Sequence, residues 1–189
     1  FFSTMSPSDE PEAQRGLVLQ SRDSQLAMAQ STFVQECLQQ EHSIRVRIHS
    51  GKTLGDKVLN VPLAKIGEKG LFTKELEEAL LGGRADLAVH SLKDVPTKMT
   101  PDLALTAILA RHDPHDALVM RKDLAGLCLE TLPAGSVVGT SSVRRRALLA
   151  HLFPDLCFKD VRGNLNTRLA KLDDPALGYS ALILAVAGL

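Results

Sequence analysis

The chain has 189 residues, 44% of them hydrophobic, and its 22 Lys+Arg balance 22 Asp+Glu. That length and apolar content suggest one large or two small globular domains and exclude a disordered chain. Net neutrality argues against bulk capture of nucleic acid or an anionic membrane, and no apolar run approaches the roughly 20 residues that span a bilayer, so neither partner is expected and the protein should be soluble. Cys37, Cys128 and Cys157 are odd in number, widely spaced and set in apolar surroundings. They read as buried reduced thiols in a cytosol-like compartment, with no metal site expected.

Residues 1–15 are polar and patternless and open on Phe1-Phe2-Ser3-Thr4, as a disordered tail or targeting remnant would. Leu17 to Gln20 predict a first strand, Ser21 to Ser24 its loop, with Ser24 or Asp23 capping a helix. Leu26, Ala29, Phe33, Val34, Cys37 and Leu38 follow helical spacing and predict one face packed on a sheet. Ile44, Val46 and Ile48 alternate with Arg45, Arg47 and His49 as a second strand, so a strand, helix, strand unit points to a parallel sheet. The loop Gly51 to Lys57 resembles a phosphate-binding loop only superficially, because its glycines and lysine stand in the wrong order. After Ile66 to Phe72, a helix is predicted from Thr73 to Leu81, ended by Gly82-Gly83. Phe72, beside glycines in a polar loop, is either a core anchor or a residue able to cover a ligand.

Leu87 to Val89 predict a strand that runs into His90, Ser91, Lys93 and Asp94, with Pro96 stopping any helix. Ligands of open α/β sheets bind beyond the carboxyl ends of strands, so this junction is a candidate site. Leu103 to Leu109 predict another strand, and the polar crossing Arg111 to Asp116 a handover between lobes before a strand at Asp116 to Met120. Ser136 to Gly139 predict a strand. Thr140 to Arg146 open a helix whose N–H groups, three hydroxyls, Arg144 and Arg145 would make an anion site. Leu156 to Phe158 predict a strand, Val161 to Arg168 lead into a helix flanked by Arg162 and Arg168, and Leu182 to Val186 predict a last buried strand.

Arg22, Lys93, Arg144, Arg145, Arg162 and Arg168 thus fall at or just beyond the ends of five strands, which a doubly wound sheet pair would bring to one cleft. Guanidinium forks bind carboxylates bidentately, so such a cleft suits a polycarboxylate. With 4% aromatic residues and no tryptophan, base stacking has little to work with, which leaves RNA binding through Arg144 to Arg168 the weakest reading. Asp94 is the odd charge. It could hold an N–H donor, stabilise a developing cation or move a proton, or it could be a plain salt bridge to Lys93 or an arginine.

Five segments carry a resemblance: Ser21-Arg-Asp-Ser-Gln-Leu-Ala27, Lys65-Ile-Gly-Glu-Lys-Gly-Leu-Phe-Thr-Lys-Glu-Leu76, His90-Ser-Leu-Lys-Asp-Val-Pro-Thr97, Gly139-Thr-Ser-Ser-Val-Arg-Arg145 and Val161-Arg-Gly-Asn-Leu-Asn-Thr-Arg-Leu169. In order and spacing they resemble the porphobilinogen deaminases, or hydroxymethylbilane synthases. The resemblance implies a transferase of tetrapyrrole biosynthesis that joins four porphobilinogen units through oligopyrrole intermediates on a dipyrromethane cofactor, in a cytoplasmic monomer, with a plastid or mitochondrial home also compatible. It implies Asp94 as the catalytic carboxylate and Arg22, Lys93, Arg144, Arg145 and Arg168, helped by Ser24, Ser141 and Arg162, as ligands of acetate and propionate arms, with Phe72 near the substrate. It implies an α/β fold of two doubly wound lobes like those of periplasmic binding proteins, over 16–112 and, incomplete, over 113–189, hinged near Arg111 to Asp116.

Two features depart from the family. Asp23 sets a negative charge beside Arg22, and the family's cofactor-bearing cysteine lies in a third domain that this sequence does not contain. None of Cys37, Cys128 or Cys157 stands in matching context, so the chain is expected to be an incomplete copy that does not complete the reaction alone. A non-catalytic polycarboxylate-binding module is the alternative.

Overall fold

The computed structural model describes residues 16–53 and 73–189. Phe72, the tail 1–15 and the motif between Lys65 and Phe72 lie outside the described residues. The fold is α/β, and the described residues fall into two compact units, 16–53 with 73–108 and 109–189.

The first unit holds a three-stranded parallel sheet in the order β2-β1-β3, with β1 at Leu17–Arg22, β2 at Val46–Gly51 and β3 at Leu87–Ala88. Helix α1, Gln25–His42, supplies the crossover from β1 to β2, as a parallel pair requires. It starts where Ser24 Oγ accepts the Ala27 N–H and stops where Ser43 turns left-handed, at φ 56. Its packing differs from the apolar stripe predicted. Ser31 is its one buried residue, Ser31 Oγ donating to Ser21 Oγ at 2.7 Å, while Phe33 is 49% exposed. Two small hydroxyl residues at the contact leave no pocket for a ring, and Gln35 Nε2 fastens the helix to Val46 O at 2.8 Å. Helix α2, Lys74–Leu81, buries Leu76 and Ala79, the latter against Val18 and Ala85. Asp86 then clamps the start of β1, its Oδ2 accepting Val18 N–H at 2.7 Å.

Residues 103–109 form no strand. Leu105, Ile108 and Leu109 are 47%, 67% and 53% exposed, and no ladder joins this stretch to another strand among the described residues. Alternating apolar residues become a strand only when a partner takes up their N–H and C=O groups.

The second unit holds a mixed four-stranded sheet ordered β4-β7-β5-β6: Asp116–Met120, Ala181–Ala185, Val137–Gly139 and Cys157–Lys159. The edge strand β4 runs antiparallel to β7; the others are parallel. Central β7 is buried on both faces, as a near-continuous apolar run should be. Leu182 and Leu184 pack with Leu172, Leu165 and Leu169 of helix α4, Leu165–Asp173, whereas Ile183 joins the cluster that includes Leu149 of helix α3, Val143–Leu152. The two helices therefore cover opposite faces. Gly139 is forced by that packing, since a Cβ there would lie 2.4 Å from Leu182 Cδ2 and 3.0 Å from Tyr179 Cδ1. The thiols are not the buried group predicted: Cys37 is half-buried, and Cys128 and Cys157 are exposed. Cys128 sits in a turn whose backbone it shares with Thr131, and Cys157 on an edge strand, positions that no apolar sequence context reveals.

Candidate functional site

In the first unit the site is built on the ends of β1 and β3. Buried Ser21 donates to Arg22 O at 2.9 Å, fixing the backbone where the chain leaves the sheet for α1. After β3, Leu92–Asp94 makes one tight helical turn, closed by Asp94 N–H to Ser91 O at 2.9 Å. Ser91 Oγ donates to Gln30 Oε1 of α1 at 3.0 Å, so the loop after β3 is tied to the helix after β1. The result sets Arg22 Nη1 3.9 Å from Asp94 Oδ2, with both side chains largely covered, 19% and 27% exposed. Of the partners open to Asp94 at sequence level, the structure selects Arg22.

His90 sits beside this pair. Burial pushes its imidazole pKa down, against the upward pull of Asp94 and Glu77, and Arg22 adds to the depression. An imidazole kept neutral does not compete with Arg22 for the Asp94 carboxylate. Lys93 is exposed, as is Asp23, whose backbone N–H is bonded to Gly51 O. Ser24 accepts a backbone N–H as helix cap and keeps its own proton to donate.

In the second unit two strand-to-helix loops stand side by side, after β5 and after β6. Ser141 joins them: its hydroxyl donates to Val161 O at 2.7 Å and accepts Val161 N–H at 3.1 Å. With its single proton so engaged, Ser141 sets the spacing of the loops and has no second proton for a ligand. The other two hydroxyls of the predicted anion site accept backbone N–H groups, Thr140 from Ser142 and Ser142, as the cap of α3, from Arg145.

The arginines divide into three groups. Arg144 is exposed. Arg146 reaches Asp160 at 3.5 Å, and Arg145 is held edge-on by Asp116, with Nε donating to Oδ2 at 2.8 Å and Nη2 to Oδ1. Arg162 and Arg168 flank a glycine turn at Gly163, φ +116, where a Cβ would meet Thr167 Cγ2 at 2.6 Å. Arg168 Nε donates to Gly163 O at 2.8 Å, and its pKa is pushed down by burial and by the positive charges of Arg145 and Arg162. Arg162 Nη1 is buried with no hydrogen-bond partner among the described residues. Arg168 thus meets the repulsion of two other guanidinium groups, and one buried donor of Arg162 has no partner among the described residues.

The cationic residues lie at the ends of four strands rather than five: Arg22 on β1, Lys93 after β3, Arg144 and Arg145 after β5, and Arg162 and Arg168 after β6. Residues missed at sequence level are Asp116, Asn164, which caps α4 by accepting Thr167 N–H, and Lys171, whose Nζ donates to Arg162 O at 3.0 Å. The Asn164 cap has a local signal, a side-chain amide three residues before the N–H it serves. Asp116 and Lys171 act across elements and have none.

The chain is thus an α/β protein that gathers arginines and carboxylates at the ends of its strands. It belongs to the porphobilinogen deaminase family: the family model described as porphobilinogen deaminase, dipyromethane cofactor binding domain, matches residues 17–189. Proteins named porphobilinogen deaminase are similar to it in Gloeobacter violaceus, 56% identical over 177 residues, and in a Nostoc species, 55% identical over 178. These alignments cover 93% and 94% of this chain but 53% and 54% of the relatives. The relative from Prochlorococcus marinus is 56% identical over 174 residues, again 54% of its own length. The chain spans about half the length of the curated relatives it matches.

Proposed function

We propose that this chain forms the first two lobes of a hydroxymethylbilane synthase, a cytoplasmic monomer in which porphobilinogen is deaminated and four units are joined into the linear hydroxymethylbilane. The lobes, 16–112 and 113–189, would be of the periplasmic-binding-protein kind. The observation that carries the reading is the buried Arg162 Nη1, without a partner among the described residues, beside an Arg168 whose charge is disfavoured by burial and by Arg145 and Arg162. A cluster in that state is completed by carboxylates.

Those residues fit a dipyrromethane cofactor, whose acetate and propionate arms Arg144, Arg145, Arg162 and Arg168 would hold. When bound, it supplies the primer from which the pyrrole chain grows. Arg22, Ser24 and Lys93 present donors to carboxylate arms in the first unit. Asp94, its carboxylate oriented by Arg22, accepts a pyrrole N–H and stabilises the positive charge that builds as ammonia leaves.

The test joins this chain to the second half of the Gloeobacter violaceus relative. The chimera should consume porphobilinogen and release hydroxymethylbilane, and Asp94→Asn should lower turnover by at least about a hundredfold while porphobilinogen binding changes by less than about threefold. A folded chimera that binds porphobilinogen and keeps its turnover with Asp94→Asn overturns the assignment. One that binds but never turns over favours a non-catalytic binding module.

A further inference from the structure

Arg145 differs from Arg144 and Arg146 in being held at two points by one carboxylate. A guanidinium offers five N–H donors. Asp116 takes the one on Nε and one on Nη2, and the carbonyl of Ile183 lies 3.4 Å from Nη1. Two donors remain, one on each Nη, in a plane that the bidentate pair fixes. Asp116 opens β4, the edge strand, and Arg145 stands in the first turn of α3, so the contact links the outer strand of the sheet to the helix whose start carries the arginines. Asp116 is half-exposed, which makes this a poor source of bulk stability, since exposed ion pairs contribute little. An unclamped arginine would sweep many rotamers, and ordering it on a ligand would carry that entropic cost.

We propose that Asp116 is a positioning residue for the anion site: it aims Arg145 so that its two remaining donors meet a ligand carboxylate. Asp116 touches no ligand and acts only through Arg145. The inference rests on the polycarboxylate reading given above. It differs from competition, in which Asp116 would occupy Arg145 and have to be displaced.

The test is a double-mutant cycle on the 189-residue chain, with porphobilinogen as the probe in titration calorimetry and thermal unfolding measured alongside. Asp116→Asn should weaken binding by about fivefold to tenfold and Arg145→Gln by more. In the Arg145→Gln background, Asp116→Asn should have no further effect on binding. Asp116→Glu, which keeps the charge, should recover part of the loss, and this rescue also guards against a misfolded Asn variant. Additive losses, or tighter binding by Asp116→Asn, would overturn the proposal. So would a fall in unfolding temperature with unchanged affinity, the mark of a purely structural pair. No binding by the parent chain would remove the polycarboxylate reading and the proposal with it, an outcome distinct from binding that is indifferent to Asp116.

Discussion

The two units treat their arginines differently. In the first, Arg22 is matched by the Asp94 carboxylate at 3.9 Å, so the local charge is balanced and the pair stands ready without a ligand. In the second, Arg145 is balanced by Asp116 and Arg146 by Asp160, but Arg162 and Arg168 are left in mutual repulsion. A balanced pair suits chemistry in which charge moves. An unbalanced cluster suits capture of an anion, because the ligand then supplies the missing half of each interaction. The same residue type on the same kind of strand-to-helix loop thus stands in different settings, decided by whether a carboxylate reaches it from another element.

Substitutions can break that contrast at graded depth. Gly163→Ala should act most strongly: its φ of +116 and the 2.6 Å approach to Thr167 would force the loop carrying Arg162 and Arg168 to shift, costing about 2–4 kcal/mol of stability in chemical denaturation. Arg162→Met should separate stability from function. Removing a buried donor without a partner should leave the free chain as stable as before or about 1 kcal/mol more so, while porphobilinogen affinity falls by about tenfold. Loss of stability on that substitution would mean the guanidinium is already satisfied within the fold.

The smallest effect belongs to the first unit and is read through pH. His90 has a folded-state pKa below the ordinary 6.5, so over the interval between the two values the unfolded chain binds more protons than the folded one. Stability from this group is full above pH 6.5 and is lost as the pH falls through that interval toward the folded value. His90→Gln should flatten the pH dependence of the unfolding temperature below pH 6.5 and leave the plateau above it intact. An unchanged slope would place the titration elsewhere.

Much of this was legible from residue order. The seven observed strands all fall within or beside stretches with apolar or alternating patterning, and the caps at Ser24 and the stop at Gly82 follow from local chemistry. The arginines could be placed at strand ends from the sequence, because each follows an apolar strand run directly. Three things were not legible, for one physical reason. The pairing of Asp116 with Arg145 spans 29 residues, the Ser141 bridge to Val161 spans 20, and the absent ladder at Leu103 to Leu109 depends on a partner strand. Each is settled by which elements meet, and periodicity within one element carries no record of that. The exposure of Phe33 belongs to the same kind: helical spacing marks it as apolar, but Ser31 and Ser21 decide the contact.

The most direct test of the central claim follows the arginine Nε–H resonances of the 189-residue chain by NMR while porphobilinogen is added. The account predicts saturable shifts of Arg162 and Arg168, with Arg146, held by Asp160, unmoved. Saturation that shifts Arg146 while leaving Arg162 and Arg168 in place would show that the unbalanced cluster is not the anion site.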